Sequence, residues 1–203
     1  ICGAKRDAER FLQRAESLGL SRSLCTYALC GIGFDQWREE LGEMPPNAPW
    51  GGQARPDFMI SSGQILCDPR SKWYQASQQF MPDVPIYNID LPYPLFQKDR
   101  DHREVQDYYH KYIVKQLRGL VAFLEEQTKK KMDYDRLRAL VDLSDRTWNL
   151  IDETYKLRRA VPCPMGTGDA MNTMVPINFM MATQRAYDFF VDLKKELEEK
   201  IAK

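Results

Sequence analysis

The sequence predicts an α/β chain, with a Rossmann-like parallel β-α-β unit from a partial α/β domain followed by a region of long helices. Two observations carry this. First, the stretch from Asp57 to Tyr93 holds an apolar run (Phe58, Met59, Ile60), a Ser-Ser-Gly turn, Cys67-Asp68-Pro69, a helix-like segment and a second apolar run from Pro85 to Ile89. That order of strand, helix and strand leaves a crossover long enough to join two parallel strands. Second, after Tyr93-Pro94 the apolar residues change to helical spacing and keep it almost to the end of the chain. The expected division is therefore 1–100, an α/β part with helices at its N-terminus, and 101–203, a helical region.

Taken in order, Ala8, Phe11, Leu12, Ala15 and Leu18 mark a short amphipathic helix that Gly19 stops. Ser21 or Ser23 can cap a second helix, with Leu24, Tyr27, Ala28, Trp37 and Leu41 on its buried face and Gly31 and Gly33 weakening its middle. Cys25 then falls in a first helical turn. Cys30 follows five residues later, a rotation of about 140° on a continuous helix, so the two thiols do not share a ligand and Cys30 reads as a packing residue. Met44 to Pro56, with its prolines and glycines, is a connecting loop; Trp50 within it either anchors the loop or lines a pocket.

In the β-α-β unit Asp68 can cap the helix and Pro69 suits its first turn. Cys67 thus lies beside unpaired N–H groups at the positive end of a helix dipole, which favours thiolate, the form that binds metal or attacks an electrophile. The plainer reading is an inert buried cysteine. Cys67 and Asp90 both fall at carboxyl ends of strands, where parallel sheets gather ligands; Asp90 either orients a ligand or caps a turn.

From Asp101 to Lys130, Val105, Tyr108, Tyr112, Ile113, Leu117, Leu120 and Leu124 keep a helical period on one long helix. Asp133 or Tyr134 opens another that runs to Pro162, marked by Leu137, Leu140, Val141, Trp148, Ile151 and Tyr155. VPCPMGTGDAMN breaks the pattern and leaves Cys163 in a loop. Asp169 can cap a helix carrying Met171, Met174, Ile177, Phe179, Met180 and Met181, which reads as core or interface. Thr183 can cap the last helix, whose face is Ala186, Phe189, Phe190, Leu193, Leu197 and Ile201.

The charge balance, 29 basic against 29 acidic residues, asks for neither nucleic acid nor an anionic membrane. No apolar run reaches a membrane span and the N-terminus lacks a signal peptide's pattern, so the expectation is a cytoplasmic chain. It begins with Ile1, and an upstream piece is expected. Five cysteines (Cys2, Cys25, Cys30, Cys67, Cys163), odd in number and without a C-x-x-C pair, argue against a disulfide framework and against ribbon-type zinc. His102 and His110, in a charged helical stretch, read as solvated.

Four segments, SRSLCTYALCGIG, DFMISSGQILCDPRSKWY, VPIYNIDLPYP and RRAVPCPMGTGDAMNTM, together resemble the catalytic subunits of the benzoyl-CoA reductase and 2-hydroxyacyl-CoA dehydratase family. The most specific combination is L-C-[ST]-Y-x-x-x-x-I-G followed by a strand and C-D-x-x-x-K. The resemblance implies a [4Fe–4S] cluster held by three cysteines of one subunit. Two of those positions fall on Cys25 and Cys67; the third would lie in a C-terminal α/β domain beyond Lys203. It further implies a homologous second catalytic subunit, an ATP-dependent iron–sulfur activator that delivers a low-potential electron, and an acyl-CoA substrate. CDPRSKWY and MNTMVPINFMM look closer to the aryl-CoA reductase branch, with a dehydratase as the alternative and a non-catalytic scaffold subunit as a reading from another class. Arg70 and Lys72, after Cys67, either attract CoA phosphates or stand exposed.

Overall fold

The computed structural model describes residues 8–48, 51–62, 67–90 and 102–202; Cys2 and Trp50 lie outside them. The chain divides into two compact units, Ile1–Lys130 and Lys131–Lys203.

The first unit opens with α1 (Ala8–Ser17) and α2 (Thr26–Leu41), which pack together. Phe11 and Ala15 of α1 and Cys30 and Phe34 of α2 are fully buried at this contact, with the Phe11 and Phe34 rings edge to face at 5.5 Å. Gly33 is where the helices touch: a Cβ there would lie 2.9 Å from the Phe11 carbonyl carbon and closer still to its oxygen. The glycines expected to weaken α2 instead let its neighbours approach. Its buried face also differs from expectation. Leu24, Tyr27 and Leu41 are exposed, whereas every residue from Ala28 to Asp35 is buried, because α1 covers one side of α2 and α3 the other.

β1 (Met59–Ser62), α3 (Asp68–Phe80) and β2 (Ile86–Ile89) form the expected β-α-β unit. The strands pair in parallel, Met59 opposite Ile86 and Ser62 opposite Ile89. Residues opposite one another share a face of the sheet. Phe58 and Tyr87 meet the Phe123 ring of α4 (Arg103–Thr128), and the Tyr87 hydroxyl donates to the Gln116 carbonyl at 2.8 Å. These contacts tie α4 to the sheet, so the long helix belongs with the first unit and the division falls after Lys130, not near residue 100.

In the second unit α5 (Tyr134–Lys156) packs on α8 (Gln184–Ile201), and Ile151, Ala186, Phe190 and Leu197 are buried with Thr147 and Thr154. Both helices start as their sequence signals direct: the Asp133 carboxylate accepts from the Arg136 N–H at 2.9 Å and the Thr183 hydroxyl from that of Ala186 at 3.2 Å. Between them the single expected helix is two short ones, α6 (Thr167–Asn172), whose N-cap is Gly166 and not Asp169, and α7 (Met174–Phe179). Met171, Met174 and Phe179 are exposed. Among the described residues no helix is long and apolar enough to cross a membrane.

Candidate functional site

A cavity of about 480 Å³ lies in the first unit. α2 contributes Cys25, Asp35 and Arg38; α3 contributes Cys67, Arg70, Trp73 and Ser77; the sheet side contributes Phe58, Met59, Ser61 and Ile86. Two cysteines 42 positions apart therefore open onto one space.

Each cysteine stands at the residue that precedes its helix. Cys25 is the N-cap of α2, and Cys67, with Pro69 just inside, is the N-cap of α3. The expected cap donors lie elsewhere. Ser21 and Ser23 bond each other at 2.9 Å in the turn before α2, and Asp68 is already helical. Neither N-cap residue makes a side-chain bond to its helix, and each cysteine stands at the positive dipole end of the helix it precedes. Cys67 is exposed and Cys25 half-buried. Arg70, in the first turn of α3, is exposed on the lining.

The cavity also holds a buried charged cluster that sequence reasoning missed. The Asp35 carboxylate accepts from the Ser77 hydroxyl at 2.7 Å and the Trp73 indole N–H at 3.3 Å, and pairs with Arg38 at 3.5 Å. Arg38, 4% exposed, donates to the carbonyls of Gln53 and Ala54 and meets Glu39 at 3.1 Å. Burial raises the pKa of Asp35 above the usual carboxylate value; the bonds from Ser77 and Trp73 and the charge of Arg38 act against that rise. One signal for the cluster was present in the sequence: an acid and an arginine at i, i+3 continue an otherwise apolar helix.

The other candidates separate. Asp90 follows β2 but accepts from the Tyr112 hydroxyl of α4 at 2.7 Å and does not line the cavity. Cys30 is fully buried between α1 and α2, as a packing residue should be. Cys163 is exposed in the second unit, its thiol against the Met165 carbonyl at 3.1 Å. His102 and His110 are exposed. Among the described residues no three His, Cys, Asp or Glu side chains gather where they could hold a metal. The cavity offers two thiol donors, Cys25 and Cys67.

A parallel β-α-β unit thus brings two N-cap cysteines to one cavity. Comparison with known proteins gives the family. The model for the D-component of 2-hydroxyglutaryl-CoA dehydratase matches residues 1–203, and the chain belongs to that family. It is 27% identical over 199 residues to the (R)-phenyllactyl-CoA dehydratase alpha subunit of Clostridium sporogenes, covering 98% of this chain and 45% of that one. It is 30% identical over 146 residues to subunit alpha of (R)-2-hydroxyglutaryl-CoA dehydratase from Acidaminococcus fermentans, covering 72% of this chain and 29% of that one. With the (R)-2-hydroxyisocaproyl-CoA dehydratase alpha subunit of Clostridioides difficile it shares 26% identity over 198 residues, 97% of this chain and 44% of that one. The chain thus spans less than half the length of these relatives.

Proposed function

We propose that this chain is the N-terminal portion of a 2-hydroxyacyl-CoA dehydratase catalytic subunit, in which Cys25 and Cys67 are two ligands of a [4Fe–4S] cluster. The third ligand lies outside residues 1–203. The observation that carries this is the meeting of both N-cap cysteines on one cavity. Their chemistry fits the group: cysteine sulfurs are the donors iron–sulfur clusters take. When bound, the cluster supplies one-electron chemistry to a CoA thioester, using an electron from a separate ATP-dependent activator.

The chain's own residues hold and shield that site. Phe58, Met59, Trp73 and Met81 make the wall largely apolar, which limits water and lets the surroundings set the potential of whatever the thiols hold. Arg70 places a positive charge at the lining, suited to an anionic group of CoA. The three relatives named above are alpha subunits of dehydratases. This puts water removal ahead of the ring reduction favoured by CDPRSKWY, and supports a second, homologous subunit as partner.

The test is iron and acid-labile sulfide analysis, with an absorption spectrum, on anaerobic full-length protein with its partner. About four irons per subunit are expected, lost in both Cys25→Ser and Cys67→Ser. Assays of water loss from 2-hydroxyacyl-CoA and of ring reduction of an aryl-CoA then separate dehydratase from reductase. Absence of iron in the intact complex would overturn the reading and leave a scaffold subunit.

A further inference from the structure

Asp35, Trp73 and Ser77 line the same cavity as the two thiols but offer no soft donor to a metal. What they do is join two helices. Trp73 and Ser77 stand one turn apart on α3, and both donate to the same oxygen of Asp35 on α2. Arg38 pairs with the other oxygen, and is itself fixed by the carbonyls of Gln53 and Ala54 and by the Met81 sulfur at 3.0 Å, at the far end of α3. The indole also lies close against α2: a Cβ at Gly31 would sit 2.7 Å from Trp73 Cη2, with two further ring carbons nearer. Here the Trp73 indole is the side chain between the two helices, and together with the bonds to Asp35 it fixes their relative rotation.

Asp35 is ten residues along α2 from Cys25, and Ser77 is ten residues along α3 from Cys67. Each thiol therefore stands about 15 Å along its helix from the Asp35–Ser77 bond, and a 10° rotation about that bond moves a helix start by about 2.6 Å. We propose that Asp35 is a positioning residue: by accepting from both Trp73 and Ser77 it fixes α3 against α2 and thereby sets the spacing of the Cys25 and Cys67 thiols. The spacing matters functionally only through the cluster reading above, on which this inference rests. The junction itself is testable without iron.

The experiment bridges the two thiols with a ladder of bis-maleimides of graded span, on the full chain carrying Cys2→Ser and Cys163→Ser, with bridged peptides identified by mass. Cys30 is kept as an internal reporter, since its buried thiol reacts only when α1 leaves α2. The unaltered junction is expected to bridge over a narrow range of spans. Ser77→Ala and Asp35→Asn should widen that range and lower the yield at the favoured span on the order of fivefold, the factor one hydrogen bond is worth. Ser77→Thr, which keeps the hydroxyl, should restore the narrow range. Ser77→Ala removes a donor without changing charge and carries the test if Asp35→Asn exposes Cys30. An unchanged range and yield in Ser77→Ala with Cys30 protected, or no bridge at any span before mutation, would overturn the proposal. Because bridging needs no metal, its failure is distinct from a failure to find iron.

Discussion

Gly33→Ala tests the packing that sets α2 in place. Alanine should gain about 1 kcal/mol over glycine from helix propensity alone. Its Cβ, however, would lie 2.9 Å from the Phe11 carbonyl carbon and 3.2 Å from the Ala15 nitrogen, with the Phe11 oxygen closer still. Carbon atoms settle at about 3.5 Å or more, so α1 must withdraw by about 0.6 Å at that carbon and further at the oxygen. The obstacle is helix backbone, which no side-chain rotation relieves. Overpacking of this kind costs about 1–3 kcal/mol, and loosening the fully buried Phe11 adds to it. Set against the propensity gain, the net is a loss of up to about 2 kcal/mol. Urea unfolding measures that loss, and alkylation of Cys30 under native conditions should accelerate with it, because α1 covers the thiol. A variant as stable as the parent, with Cys30 still protected, would refute the account of Gly33 as a contact point.

Other outcomes follow from single contacts. Because burial holds Asp35 above the ordinary carboxylate value, the native state binds a proton more readily than the unfolded chain between those two values. The stability of the parent relative to Asp35→Asn should therefore rise as pH falls from neutral into the carboxylate range; urea unfolding across pH that shows a fall would contradict it. Tyr87→Phe removes the bond to the Gln116 carbonyl and should cost about 1 kcal/mol in the same assay. A Cβ at Gly119 meets that same hydroxyl, so Gly119→Ala should destabilise the parent and be better tolerated in the Tyr87→Phe background, a coupling that a double-mutant cycle reads. Thr183→Ala should lower stability by about 1 kcal/mol through the lost cap of α8, visible as a lower thermal midpoint.

What was legible in the sequence was what local chemistry decides. The parallel β-α-β unit, α1, α4, α5, α8 and the caps at Asp133 and Thr183 follow from period and from residues within a turn of the boundary. Cys25 and Cys67 could be placed near helix starts for the same reason. Their meeting on one cavity could not, since it depends on how α2 packs against α3. The same limit explains Gly31 and Gly33, which by propensity are weak points and by packing are contact points. Asp35 escaped notice because its partner Ser77 is 42 residues away. The long helix α4 was grouped with the helices after it because periodicity says nothing of the Tyr87 bond that binds it to the sheet.

Trp73 gives the site an optical readout. Its indole touches the α2 backbone at Gly31, donates to Asp35 and faces the cavity shared by the two thiols. Its emission is thereby sensitive to polarity at the junction and to any absorbing group that enters beside it. A chain in which the other tryptophans are replaced by phenylalanine would report filling of the cavity by a change in intensity, and loss of the Asp35 bond by a shift in wavelength. Occupancy and helix alignment could then be followed separately in one titration, before any turnover is measured.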